Sequence, residues 1–354
     1  MSDPGPALAA SKLFGAMPES TREDVGRLMR RVAYARGEVV FCQGEPGNQL
    51  VLIESGELEA LLAVPGGQPL RLSSVGPGEV AGELSLLGDG RRTATARATE
   101  PSTGWALDRS AFDVLRNDVR PAASVVTRAI GLLAVKRLNH LYQRAAREIT
   151  GEPGPSASAH GGPFAVPAES GEPAYLQTTR FFEDFSAAEI AAVTDGLPRL
   201  EVPRGALLTA RDQPPVALWI VVRGAVETTI RGATALRRLR LAGPGRAVGH
   251  VGLLADAACV ERIESRARER AIVLEVPWTR VSELLSGPDH AARRFAAALW
   301  TDSVRALQHG ERPLARMSAI GTPAVPPGLA AHRPGALPTT IAASLPDRRS
   351  VCPR

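Results

Sequence analysis

Aromatic side chains make up only 4% of this 354-residue chain, so any core must rest on Leu, Val, Ile and Ala. Lysine is almost missing. Lys12 and Lys136 stand alone, and the net charge of +5 comes from arginine. The arginines are scattered and form no stripe, so the basic balance permits nucleic-acid contact without arguing for it. Cys42, Cys259 and Cys352 lie far apart and are odd in number, which matches neither a disulfide framework nor a metal clip and predicts a reducing, cytoplasmic setting. Long apolar runs are absent. The longest, residues 129–135, falls well short of a membrane span, and the N-terminal segment lacks an apolar signal core. What is present, 44% hydrophobic and 22% charged residues, is a globular balance with enough length for two domains.

The chain is written twice. Leu13-Phe14 is echoed by Phe181-Phe182, Arg36-Gly37 by Arg204-Gly205, and Val51-Leu52-Ile53 by Trp219-Ile220-Val221. Gly56 is echoed by Gly224 at the same offset, and Gly78 and Gly82 by Gly245 and Gly249 after a one-residue slip. Landmarks in constant register predict a duplicated domain. Each copy opens with a short amphipathic helix, expected at residues 23–32 and 187–195, with Thr21 and Ser186 as capping residues. Short β-branched segments broken by Gly, Pro and Asp follow, at residues 39–41, 50–54, 58–64, 70–75, 93–98 and 104–108 in the first copy. Their number and spacing predict a sandwich or barrel of the jelly-roll kind. Longer helices close the copies at residues 124–148 and 293–307. The fold class is therefore mainly β with flanking helices, two jelly-roll-like domains in tandem. Domains are expected at residues 12–149 and 177–310, joined by a flexible Gly/Pro/Ser-rich linker at 150–176 and followed by a disordered Pro/Ala-rich tail at 311–354.

The chemistry concentrates in residues 76–98. Gly82 lets the backbone approach a ligand closely. Glu83, Leu84 and Ser85 begin a short apolar helical turn whose free amides can face an anion. Glu83 can accept from a sugar hydroxyl. Arg92, nine residues on, offers a planar fork suited to two phosphate oxygens, and Thr93 adds a hydroxyl donor. A ribose carrying a cyclic phosphate would satisfy all of these together.

This segment resembles the phosphate-binding cassette of cyclic-nucleotide-binding domains, the family that includes catabolite activator proteins and kinase regulatory subunits. The cassette's Gly-Glu-Leu-(Ala/Ser/Gly) and later Arg-(Ala/Ser/Thr) are filled by Gly82, Glu83, Leu84, Ser85, Arg92 and Thr93. The upstream Gly37-Glu38, Gln43-Gly44-Glu45 and Gly56 resemble the family's first strands. The resemblance implies a ligand, cAMP or cGMP, and no cofactor. It implies that Glu83 binds the ribose 2′-hydroxyl, that Arg92 and the amides of Leu84 and Ser85 bind the phosphate, and that Thr93 helps hold the phosphate or a guanine edge. Base contacts are expected from the closing helix, where Asn139 and Tyr142 are the candidates.

In the second copy His250 stands where Glu83 does, and Cys259-Val260 stand where Arg92-Thr93 do. That copy has lost both charged groups, and burying a phosphate without an opposing charge costs several kcal/mol. It is expected to be a degenerate structural module, with Arg262 the nearest replacement cation. Two candidate ligands, His250 and Cys259, do not make a metal site. The six histidines are isolated, so no cupin-type metal enzyme is expected, and no nucleophile with a base stands out. Catabolite activators follow the long helix with a helix-turn-helix; here a linker and a second sandwich follow, so DNA binding is not expected. Only about eleven residues precede Lys12, too few for the docking segment of a kinase regulatory subunit. The expected role is a sensor that signals by helix movement to the second domain, a protein partner or a second copy of the chain. The competing readings are a non-binding scaffold on the same fold and, behind it, a DNA-binding regulator.

Overall fold

The computed structural model describes residues 3–64, 67–87, 90–117, 121–148, 166–167, 173–210, 213, 215–231, 236–254 and 263–321. The first copy begins with helices α1 (Gly5–Ala10) and α2 (Glu19–Gly26) and continues through β1 (Met29–Tyr34), β2 (Val39–Phe41), β3 (Gln49–Ser55), β4 (Leu58–Leu62), β5 (Leu70–Val75) and β6 (Val80–Ala81). A 3-10 turn, Glu83–Leu86, precedes β7 (Thr95–Ala98), β8 (Ser102–Asp108), α3 (Arg109–Asn117) and the long α4 (Pro121–Glu148). The second copy comprises β9 (Val166–Pro167), α5 (Pro173–Gln177), α6 (Ala187–Thr194), β10 (Arg199–Val202), β11 (Leu207–Thr209), β12 (Ala217–Arg223), β13 (Val226–Arg231), β14 (Leu236–Ala242) and β15 (Ala247–Val248). It ends with α7 (His250–Leu254), β16 (Ile263–Ala267), β17 (Ala271–Pro277), α8 (Trp278–Ser286) and α9 (His290–Gly321).

The duplication is exact at the level of strand order. Sheets β1-β8-β3-β6 and β2-β7-β4-β5 in the first copy become β10-β17-β12-β15 and β11-β16-β13-β14 in the second, with β9 added at the β10 edge. Gly82 and Gly249 both hold positive φ, 82° and 91°, and so do the other paired glycines. The period-two pattern of each central strand serves two cores at once. Leu50 and Leu52 of β3 face the helices, whereas Val51 and Ile53 face the opposite sheet. In β12, Leu218 and Ile220 face the helices, and Ala217, Trp219 and Val221 face the sheet. Such strands are buried on both faces, which explains their near-continuous apolar runs.

The helical core is shared between the copies. Val126, Ile130, Ala134 and Leu138 of α4 join one cluster with Phe295, Leu299, Trp300 and Val304 of α9. Gly131 makes the crossing possible: a Cβ there would fall 2.2 Å from the Trp300 ring. The fully buried Val, Leu, Ile and Phe side chains among these contribute about 1.5–3 kcal/mol each by leaving water.

Several local expectations are corrected. Residues 23–32 are not one helix: α2 ends at Gly26, and Met29–Tyr34 is strand β1, paired with β8. Thr21 is a buried residue inside α2 and not its cap, which is Pro18. Ser186, by contrast, caps α6 in a reciprocal box with Glu189. α1 lies ahead of residue 12 and buries Leu8. The expected linker contains β9 and α5, and the expected tail begins with residues 311–321 of α9. Cys42 is disulfide-bonded, against the disulfide-free reading of the three cysteines. The rest of the linker and tail, with Cys259, Arg262 and Cys352, lies outside the described residues.

Candidate functional site

The cassette is built at the end of β6. Gly82 turns the chain at φ 82°, and a Cβ there would meet Arg92 Nη1 at 2.3 Å and Gln49 O at 3.0 Å. Both the dihedral and the space require glycine. The 3-10 turn that follows closes with Ser85 N donating to Gly82 O at 3.3 Å. Ser85 Oγ also donates to Gly82 O at 2.7 Å and accepts from Arg92 Nη1 at 2.9 Å.

Arg92 is buried and does more than carry a fork. Nη1 also donates to Gln49 O at 2.7 Å and Gly82 O at 3.0 Å, and Nη2 donates to Asn48 Oδ1 at 3.2 Å. Its guanidinium carbon lies 3.9 Å from the centre of the Phe41 ring. The side chain thus pins β3, the turn and the loop that carries it. Burial pulls its pKa down to about 10, with the Glu83 charge opposing. One N–H remains over: Nε is buried and has no acceptor. An unmade bond of this kind costs roughly 1–3 kcal/mol, and Arg92 lines a pocket of about 430 Å³, open solvent included, together with Ser85, Thr93 and Phe41.

Glu83 is 0% exposed, and its carboxylate is ion-paired with Arg137 of α4 at 2.5 Å. Burial pushes the Glu83 carboxyl above the usual carboxylate range, and Arg137 only partly opposes it. Arg137 lines the pocket; Glu83 itself does not. The pocket opens into a groove of about 1810 Å³, open mouth included, between β5 and α4. Leu133, Lys136, Arg137 and His140 line it from α4, and Leu307 lines it from α9 of the second copy.

The structure therefore brings Gly82, Leu84, Ser85, Arg92 and Thr93 to one pocket and places Glu83 directly behind it. It does not bring Asn139 or Tyr142 there. Both are buried, but neither lines the pocket or the groove. Tyr142 continues the buried Val135, Leu138 face and borders a pocket of the second copy. Arg137 was missed as a site residue. Its helical spacing with Leu133 and His140, at i, i+4 and i+7, is the signal that would have found it.

Residues 31–118 match the family described as the cyclic nucleotide-binding domain. An acetyltransferase named Pat from Mycolicibacterium smegmatis is 40% identical over 108 residues, 30% of this chain and 32% of that protein. The cyclic AMP receptor protein of Thermus thermophilus is 38% identical over 106 residues, 30% of this chain and 49% of that one. Among solved structures, the regulatory domain of Toxoplasma gondii PKA with cAMP covers 80% of this chain and 91% of its own, at 18% identity and a TM-score of 0.31. The chain spans less than half the length of either curated relative.

In the second copy, Gly249 turns the chain as Gly82 does and is followed by His250, 2% exposed. Nearby, Asp302 of α9 accepts from Arg240 Nη2 at 2.8 Å, Arg246 Nη1 at 3.0 Å and the Ala247 amide at 3.0 Å. Burial alone would raise the Asp302 pKa, but these cations hold it below its ordinary value. Among the described residues no group of three or more His, Cys, Asp or Glu is placed to hold a metal, and no helix is long and apolar enough to cross a membrane.

Proposed function

We propose that the first copy binds a cyclic purine nucleotide, cAMP ahead of cGMP, and reports its occupancy through α4. The observation that carries this reading is the buried and unsatisfied Arg92 Nε, with the buried Glu83 carboxylate behind the same pocket. Arg92 Nε is a donor without an acceptor, and the Glu83 carboxylate, ion-paired with Arg137, has lone pairs left for a further donor. A cyclic phosphate supplies oxygens to the first, and a ribose 2′-hydroxyl supplies a proton to the second. Ser85 Oγ and Thr93 stand beside the phosphate position, and the base extends into the groove toward Arg137 and His140. The Thermus relative's name, a cyclic AMP receptor, supports cAMP. The role is sensing, with no chemistry of the chain's own.

The signalling step follows from the Glu83–Arg137 pair. A ribose hydroxyl that engages Glu83 competes with Arg137, which anchors α4 to the cassette and also donates to Val80 O at 3.2 Å. Ligand binding thereby biases the position of α4, by at most its differential affinity for the two positions. The output passes to the second copy, a protein partner or another copy of the chain.

A second reading, a scaffold that binds nothing small, has its own support: both terminal nitrogens of Arg92 already donate to protein acceptors, Nη1 to three and Nη2 to one. Calorimetric titration with cAMP and cGMP separates the two. The sensor reading expects micromolar binding that weakens at least about tenfold, 1.4 kcal/mol, in Arg92→Lys and in Glu83→Gln. Absence of heat with both nucleotides, with the wild type folded by circular dichroism, leaves the scaffold.

A further inference from the structure

The two copies correspond position by position where the long helix of each meets its sandwich, and the residues at those positions differ in kind. Ala60 pairs with Ser73 as Thr228 pairs with Arg240, and Leu52 pairs with Val80 as Ile220 pairs with Ala247. Ser73 and Arg240 are therefore equivalent, and so are Val80 and Ala247, with Glu79 and Arg246 just ahead of them. α4 and α9 begin at Pro121 and His290, each following a nine-residue helix at the same spacing. That offset makes Gly131 equivalent to Trp300 and Leu133 equivalent to Asp302. The two long helices thus cross at matching positions.

In the second copy these positions hold a charged network. The Asp302 carboxylate of α9 accepts from Arg240 Nη2 at 3.1 and 2.8 Å, from Arg246 Nη1 at 3.0 Å and from the Ala247 amide at 3.0 Å. Arg240 Nη1 closes the network by donating to Ala247 O at 3.0 Å. The Arg240 and Asp302 side chains are only 9% and 4% exposed. The network runs from α9 to β14 and β15, so it ties the helix to the sandwich. Moving α9 away would strand its charges in the interior without partners.

In the first copy the same positions are Ser73, Glu79, Val80 and Leu133, and all four line the groove between β5 and α4. Ser73 is exposed and Leu133 half-buried, and the two cannot form an ion pair. Glu79 turns instead to Lys12, at 2.6 Å. α4 reaches its own sandwich through Arg137, whose side chain is 35% exposed. What bridges helix and sandwich in one copy is groove wall in the other.

We propose that Asp302, Arg240 and Arg246 form a latch that keeps the second copy closed with no ligand. α9 and the second sandwich are then one fixed body, against which α4 and the first sandwich move. This holds whether or not the first copy takes a nucleotide. Hydrogen exchange of the full chain, read by mass spectrometry without nucleotide, tests it. β14, β15 and residues 290–307 are expected to exchange at least tenfold more slowly than β5, β6 and residues 121–138. Asp302→Asn is expected to remove that difference. Because it leaves two buried cations without their anion and can unfold the copy, a second variant carries the first copy's own residues: Arg240→Ser, Arg246→Glu and Asp302→Leu. This triple variant is expected to remain folded by circular dichroism and to exchange in α9 as fast as the wild type does in α4. β12 and β17, at the centre of the second copy, are expected to keep their protection, which separates an opened latch from a general loss of stability. Equal exchange of the two helices in the wild type overturns the proposal. So does a folded triple variant in which α9 stays as slow as before, or one in which β12 and β17 lose protection to the same extent as α9.

Discussion

At the scale of single residues, the two copies solve opposite electrostatic problems at one structural position. At Glu83, in a fully buried place, burial raises the carboxyl pKa and Arg137 beside it opposes. His250 instead gives up its charge. A folded pKa of about 4 against an ordinary 6.5 means that the unfolded chain binds more protons between those values. Stability from this group is therefore complete above pH 6.5 and is lost as pH falls toward 4, by about 3 kcal/mol over the whole window. Arg240 and Asp302 face the ring from β14 and α9. We expect the drop in denaturant midpoint from pH 7 to pH 5 to be smaller in His250→Gln than in wild type. Equal drops would show that His250 does not set this pH dependence.

At the scale of elements, α4 and α9 decide which side chains reach which pocket. The Gly131 notch against Trp300 fixes the rotation of α4. Gly131→Ala gains about 1 kcal/mol of helix propensity, but it overpacks a ring that has no room, at a cost of about 1–3 kcal/mol. Net destabilisation is expected, read as a lower thermal midpoint; a raised midpoint would mean that the helices can part without penalty. The same contact explains what could be read from the sequence and what could not. The strands were legible because β-branched runs and positive-φ glycines are local signals, and residues 70–75 fall where the pattern places them. The cassette was legible because its residues lie close together in the chain. Residues 29–34 were not, because Leu28 and Val32 also fit a helical period, and only pairing with β8 settles the matter. Asn139 and Tyr142 were assigned to the wrong pocket for a similar reason. Helical spacing gives a helix its faces but not their directions, and these come from a contact 169 positions away in the chain, Gly131 with Trp300.

At the scale of the whole molecule, one helical core serves two sandwiches. Arg137 reaches the first pocket and Tyr142 borders the second, five residues apart on α4, about 7.5 Å along its axis. Neither copy is complete alone, since the apolar faces of α4 and α9 cover each other. Residues 1–150 produced by themselves are expected to expose that face and to aggregate or bind a hydrophobic dye. A soluble monomer with a cooperative melt would refute this. The shared core also means that the peptide between the halves is not what keeps them together. Supplied as two separate polypeptides in one cell, residues 1–150 and 166–354 should find each other and purify as a one-to-one heterodimer, a fragment complementation in which each half acts as the other's chaperone.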